Sequence, residues 1–377
     1  ALTSRKRRWD ARPASASSEA SGERYAAALE HTRELVRATI EQLVHPLADR
    51  GVPWAVTFGN HDFQCGLDND EIESICREFP GCINPERAAD GTTGIAVKHG
   101  VKHDVGDMEQ DFGLPEQPVI ACAPGTFALS VTDVDRTYDV LGLVLLDSGD
   151  YARSGGYGSP SEAALRRQDE QDSPREPRKT PSTLPCMVFQ HFPIEQYYRL
   201  LKPVAATAAR AIEGYRNFAG RHFVLNEDKT QPGSYLGEGV SCPDADSGEF
   251  AILDKAGYFA ISAGHDHRNA FVGSVPVGTD GDRQMMMVAS PTSGFGSYGP
   301  VPAKRAARLF EFDIRHPYEP RTQLLEYDEL VGKPSAGKAY AYGMTSESKP
   351  DSEGMDLLHR PTWWSKTWNK LVSLFRR

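Results

Sequence analysis

The chain has 377 residues, enough for one large α/β layer fold with insertions or for two or three domains. With 39% hydrophobic and 25% charged residues it has ordinary globular usage, which excludes a wholly disordered, collagen-like or coiled-coil protein. Its 42 Lys and Arg against 52 Asp and Glu, a net charge of -10, exclude nucleic acid as a general partner, so an anionic ligand would need a local source of attraction.

No stretch approaches the ~20 apolar residues that cross a bilayer, so no membrane-spanning helix is expected. The six cysteines are scattered without a CxxC pair. That spacing argues against a thiolate zinc site and leaves the redox compartment, and with it the localisation, open.

In chain order, residues 1–21 read as a disordered or loop segment, with a basic run at Arg5-Lys6-Arg7-Arg8 and no apolar period. Because the first residue is Ala1 rather than Met, the true beginning is expected upstream. Residues 22–330 read as one domain. In residues 23–48, Tyr25, Leu29, Leu35, Val36, Ile40, Leu43, Val44 and Leu47 recur at helical spacing, and Gly51 stands where a helix C-terminus is capped. Residues 52–58 are a short β-prone run that stops at Gly59-Asn60-His61-Asp62.

Two further strands are expected at 127–131 and 138–146, the second apolar enough to be buried on both faces. Residues 152–183, rich in Ser, Gly, Pro, Arg and Glu, read as a mobile, solvated insertion. A strand over 184–190 ends in His191. A helix over 249–255 leads to a strand over 258–263, which ends in Gly264-His265-Asp266-His267, and later strands are expected at 284–289 and 309–314. Residues 331–361 read as a linker. Residues 362–377 read as an amphipathic basic helix, with Trp364, Trp368, Leu371, Val372 and Phe375 on one face and Lys366, Lys370 and Arg377 opposite. Such a helix either docks on its own domain or makes a peripheral membrane contact.

Three of these strands end, at their carboxyl edges, in Asn60-His61, His191 and His265/His267. In α/β sheets that edge is where loops converge on a crevice. A lone histidine after a strand is usually a hydrogen-bonded structural residue. Imidazole nitrogen and amide oxygen together, however, suit borderline divalent ions, and the combination points to a metal site at one sheet edge.

Gly59-Asn60-His61-Asp62, His191 and Gly264-His265-Asp266-His267 resemble, in order and context, the last three blocks of the calcineurin-like metallophosphoesterases, over about residues 52–313. Leu145-Leu146-Asp147-Ser148, Glu238-Gly239, Ser247-Gly248-Glu249-Phe250, the glycine-rich run at 294–299 and Arg305-Ala306-Ala307-Arg308 look like the branch related to fungal cell-cycle-regulator phosphatases and purple acid phosphatases. The resemblance implies a four-layer α/β/β/α sandwich and hydrolysis of phosphoric esters. Attack would come from a metal-bridging hydroxide between two divalent ions, Mn, Zn or Fe. It also implies that Asn60, His191 and His265 ligate one ion and His267 the other, with His61 catalytic at the leaving-group oxygen and Asp62 as its partner.

The family's two earlier blocks, DxH and GDxxD or GDxxY, do not precede Gly59. Gly149-Asp150 is followed by Arg153 where an acid is needed, and Gly106-Asp107 has the wrong spacing to Asp111. The chain is therefore expected to be an N-terminally incomplete fragment holding at most one ion and turning over a phosphorylated substrate poorly. The rival expectation is a catalytically degenerate binding module, tethered to a membrane surface by its C-terminal helix.

Overall fold

The computed structural model describes residues 17–89, 91, 93–96, 114–152, 155–169 and 184–331. Of the segment 1–21 expected to be disordered or loop, residues 17–21 are instead helical and the rest lies outside the described residues, as do the linker expected at 331–361, apart from residue 331, and the helix expected at 362–377. Among the described residues no helix is long and apolar enough to cross a membrane.

The chain opens with helix α1 (Ser17–Ala48) and a turn at Gly51, whose φ of 62° is the left-handed conformation expected at a helix end. Leu29, Val36 and Ile40 face the short helix α2 (Asn69–Cys76), packing with Phe58, Leu67, Ile72 and Ile75. Leu35 and Leu43, assigned to the same stripe by spacing, are 56% and 74% exposed. They lie off the narrower face that α2 covers. Arg33 to Glu71 at 2.5 Å and Arg37 to Glu78 at 2.8 Å close the seam between the two helices.

Residues 52–58 depart from expectation. They run extended but join no sheet, with one isolated bridge from Trp54 to Cys82. The reason is local. The Asn84 amide takes the place of a neighbouring strand, accepting from the Val56 N–H at 2.8 Å and donating to the Val56 carbonyl at 2.9 Å. Trp54 and Val56 pack against the helices, while Ala55 packs on the central sheet.

That sheet has nine strands. At one side an antiparallel series runs through β1 (Glu86–Arg87), β2 (Thr93–Ala96), β3 (Gln117–Ala123), β4 (Thr126–Thr132) and β5 (Asp139–Leu146). From β5 the sheet continues in parallel through β6 (Cys186–Gln190), β10 (Ala260–Ala263) and β12 (Arg283–Ala289), and closes antiparallel on β11 (Phe271–Val277). Side chains of the parallel strands alternate between two cores. Cys186, Val188, Ile261, Ala263, Met285, Met287 and Ala289 face one, and Met187, Phe189, Ala260 and Met286 the other. Burial on both faces is what a parallel sheet requires.

Helices α3 (Glu162–Asp169) and α4 (Glu249–Lys255) cover the first core, which takes in Ala164, Phe250 and Leu253. Helix α3 falls within the stretch expected to be a solvated insertion, and the burial of Ala164 and Leu165 explains why it is ordered. On the other face, β13 (Ala306–Glu311) pairs with β14 (Arg321–Glu326), and Phe310 packs edge-on against Phe189 at 5.6 Å. A three-stranded sheet of β7 (Leu201–Val204), β9 (His222–Leu225) and β8 (Ile212–Glu213) and a last short helix, α5 (Tyr327–Val331), complete the described chain. The fold is mixed α/β with a large central sheet, consistent with a metallophosphoesterase-like sandwich.

Candidate functional site

Register decides what the sheet edge presents. Leu146, Gln190 and Ala263 are mutual partners across β5, β6 and β10, and Ala263 pairs in turn with Ala289 of β12. Four parallel strands therefore end at one level, and their loops must share a crevice. The Ser148 hydroxyl accepts the Phe192 N–H at 2.8 Å, and the His191 carbonyl accepts the His265 N–H at 2.9 Å, so the three loops after β5, β6 and β10 are tied together.

Asn60 reaches this crevice from the extended segment beside the helices. Gly59 lets it in: a Cβ there would lie 2.8 Å from three atoms of the His191 imidazole. Asn60 is almost fully buried, and its Oδ1 stands 2.9 Å from His191 Nε2. Its Nδ2 donates to the Tyr151 hydroxyl at 2.7 Å, which fixes the amide with oxygen toward the imidazole and makes His191 Nε2 the donor. The His191 and His265 rings lie 5.0 Å apart, edge to face. Burial, then the neighbouring imidazoles of His265, His61 and His267, push the His191 pKa down to about 3, so the ring is neutral, as a metal ligand must be.

The other histidines are held through Nδ1. His267 Nδ1 donates to the Tyr298 carbonyl at 2.8 Å while its ring stacks on that tyrosine at 4.3 Å. Burial holds the His267 pKa below the usual imidazole range. His265 Nδ1 lies 3.3 Å from Asp266 Oδ1. His61 Nδ1 is 2.8 Å from Gln64 Oε1, and Gln64 Nε2 donates to the Asn60 carbonyl at 3.0 Å. In each case Nε2 is left as the outward nitrogen.

The structure gives Asp62 a different place from that implied by the family resemblance. Its carboxylate accepts the Gly59 N–H at 2.6 Å, closing the Gly59–Asp62 turn, and Gln64 is the residue on the His61 ring. Gln64 sits three residues after His61 in a 3-10 turn, a spacing that brings the two side chains together.

Several sequence blocks outside the histidine loops also converge here. Glu238 accepts the Arg268 N–H at 2.7 Å beside the His265 loop, and burial raises its pKa to about 6. Arg305, fully buried, donates to the carbonyls of Gly294 and Ser297, the latter at 2.9 Å, and so holds the loop whose Tyr298 carbonyl orients His267. Tyr151 and Tyr157 went unread in the sequence because the first borders and the second falls within a stretch whose composition signals only a loop. The signal available was Gly155-Gly156-Tyr157-Gly158, an aromatic set among glycines.

Does this set fit a metal? Donors ~2.1 Å from a common ion stand about 3 Å apart when roughly perpendicular. The 2.9 Å between Asn60 Oδ1 and His191 Nε2, closed here by the Nε2–H···Oδ1 hydrogen bond, has that spacing, and an ion would have to displace the shared proton; His265 is the next imidazole. Yet among the described residues no three His, Cys, Asp or Glu side chains are grouped to hold an ion. Of the nearby carboxylates, Asp62 and Asp147 are turned to backbone, to Gly59 and to Gly149 at 2.9 Å, while Asp266 is shared among the Ser241 N–H at 3.2 Å, the Asn269 amide at 3.1 Å and His265 Nδ1. Among the described residues the donor atoms present are imidazole nitrogens and an amide oxygen, a set whose chemistry suits a borderline cation but which does not form a complete ion site.

No family model matches the chain, and no solved structure does. It is 21% identical over 290 residues to "Probable inactive purple acid phosphatase 14" of Arabidopsis thaliana, covering 74% of this chain and 59% of that protein. It is 24% identical over 277 residues to "Probable inactive purple acid phosphatase 28" of the same organism, covering 72% of this chain and 57% of that protein. The chain thus spans somewhat under three fifths of the length of the curated relatives it matches. Its distant relatives are purple acid phosphatase-like proteins, within the superfamily that the histidine motifs resemble.

Proposed function

We propose that this distant relative of the purple acid phosphatases binds phosphoric esters at the Asn60–His191–His265 cluster, together with one divalent cation, and hydrolyses them slowly. The branch nearest the fungal cell-cycle-regulator phosphatases is the one we assign. The observation that carries the reading is the 2.9 Å contact of the Asn60 amide oxygen with His191, made between segments 131 residues apart.

Asn60 Oδ1, His191 and His265 would hold the ion, with His267 at the margin. The chemistry such an ion supplies is polarisation of a phosphoryl oxygen and a lowered pKa for a bound water. The chain's own residues set the geometry. Tyr151 and Gln64 fix the Asn60 side chain and backbone, so that the amide oxygen faces the cluster. Gln64 holds His61 by Nδ1 and leaves Nε2 to carry a proton to or from a leaving-group oxygen. His267, whose Nδ1 donates to the Tyr298 carbonyl, keeps the Nε2 lone pair for the ion rather than for the ester.

Incubated with manganese and dialysed, the full chain is expected to retain at most one ion, and to hydrolyse an aryl phosphate slowly, with the activity lost in His61→Ala and His265→Ala. Two tightly held ions per chain, or hydrolysis indifferent to both substitutions, would overturn the reading. A second reading, a binding module without turnover, is favoured by the lack, among the described residues, of three His, Cys, Asp or Glu side chains grouped to hold an ion and by the word "inactive" in the relatives' names. Ester binding with no detectable hydrolysis at any metal concentration would select it.

A further inference from the structure

The loop after β5 folds back on itself beside the imidazole cluster. Tyr151 and Tyr157 form an antiparallel bridge, with Ala152 N–H on the Gly156 carbonyl at 3.0 Å and Gly158 N–H on the Asp150 carbonyl at 2.5 Å. The returning limb is seated on the Arg216–Asp244 ion pair. Gly156, at a φ of 79°, permits this, because a Cβ would stand 2.8 Å from Arg216 Nε and 2.9 Å from Asp244 Oδ2.

This seating lays a continuous aromatic surface along one side of the cluster. The Tyr157 ring meets His265 edge-on at 4.5 Å, lies 4.6 Å from Phe192, stacks on Tyr215 at 5.4 Å, and touches Tyr151 at 5.9 Å. Tyr151 ends the series at the mouth. Its hydroxyl takes the Asn60 amide, its ring stands 6.4 Å from His61, and it remains 40% exposed. A tyrosine needed only to fasten Asn60 would be served as well by full burial. Here an aromatic ring is left open to solvent between His61, where a leaving group would depart, and the half-buried tyrosines behind it.

We infer that Tyr151 and Tyr157 form a shelf for the alcohol portion of the ester, and that the site selects phosphoric esters of aromatic alcohols. This rests on the phosphoric-ester reading above. With the phosphoryl group on the imidazole–amide cluster, an aryl group would extend over rings that favour offset or edge-to-face contact. An alkyl ester would gain less there, having no quadrupole to match. Such a contact corresponds to roughly 3–10-fold in affinity.

The test is calorimetric titration of the full chain, with manganese present, with phenylphosphonate and methylphosphonate, which share the anchor and differ in the group on phosphorus. Phosphotyrosine and phosphoserine form a second pair. The aryl member of each pair is expected to bind roughly 3–10-fold more tightly. That preference should fall towards unity in Tyr151→Leu and Tyr157→Leu and persist in Tyr151→Phe, which keeps the ring. Equal affinities in the unsubstituted chain would overturn the shelf and leave the phosphoric-ester reading standing. A preference untouched by Tyr151→Leu, a change at an exposed position that folding tolerates, would overturn the assignment of the shelf to these residues. If none of the four probes binds, both readings fall.

Discussion

Glu249 shows how one side chain can set a pH dependence. It lies in the first turn of α4, fully buried, and its Oε1, like the Oε1 of Gln190, has no hydrogen-bond partner. Burial pushes its pKa up to about 7. A raised carboxyl binds its proton more tightly folded than unfolded, so its contribution is complete below about pH 4.5, where both states are protonated. Stability then falls as pH rises towards 7 and levels off beyond. At 1.36 kcal/mol per unit, the loss is roughly 2–4 kcal/mol. Glu249→Gln is expected to be near neutral at pH 5 and to stabilise by about 1–3 kcal/mol at pH 8, as read from urea denaturation. The same difference at both pH values would contradict this account. At the site, Gly59→Ala drives a methyl group into the His191 ring. The expected result is at least a 10-fold loss of manganese affinity, with a stability cost of about 1–3 kcal/mol typical of overpacking, measured by titration and thermal melting.

At the scale of elements, residues 52–58 are the instructive case. Their composition is that of a strand, and their backbone is extended, yet the ladder beside Val56 is supplied by one side chain. Asn84 is buried and also donates to Glu73 Oε1 at 2.9 Å, so it holds the Asn60 approach against α2. Asn84→Leu would strand the Val56 N–H and carbonyl, while Glu73 Oε1 keeps the Gly125 N–H. At about 1–3 kcal/mol for each of the two groups left unsatisfied, an overall cost of roughly 2–6 kcal/mol is expected in chemical denaturation. A cost below about 1 kcal/mol would mean that Val56 finds other partners. Propensity could place a strand here but not identify its partner, because the partner is an amide side chain 28 residues away. The α3 helix was hidden for the opposite reason: its polar composition masks the two residues, Ala164 and Leu165, that anchor it in the core.

For the whole molecule, the arrangement of charge explains how a chain of net charge -10 could attract an anion. The His191 imidazole in the crevice is neutral, and Asp62 and Asp147 are turned to backbone N–H groups, so a single bound cation would dominate the local field. Binding to the folded state alone raises stability, by about 2.7 kcal/mol when the free ion is 100 times its dissociation constant. Manganese is therefore expected to raise the melting temperature of the full chain and to leave that of His191→Ala unchanged. Equal shifts in both would place the ion elsewhere.

By itself the sequence determined much of this protein. The spacing of apolar residues specified α1, β4, β5, β6, α4, β10 and β12 to within a few residues, because helix and strand periods are local properties of the chain. It also singled out Asn60, His191 and His265, which the fold brings next to one another. Tertiary structure alone decided the rest: that Leu146, Gln190 and Ala263 stand at one level, that Gln64 rather than Asp62 holds His61, that Tyr151 turns the Asn60 amide, and that Arg305 orients the loop over His267. Each of these depends on contacts between residues distant in the chain or on which atom of a side chain is free once its neighbours are in place. Strand register and hydrogen-bond competition settle both, and neither is encoded at any single position.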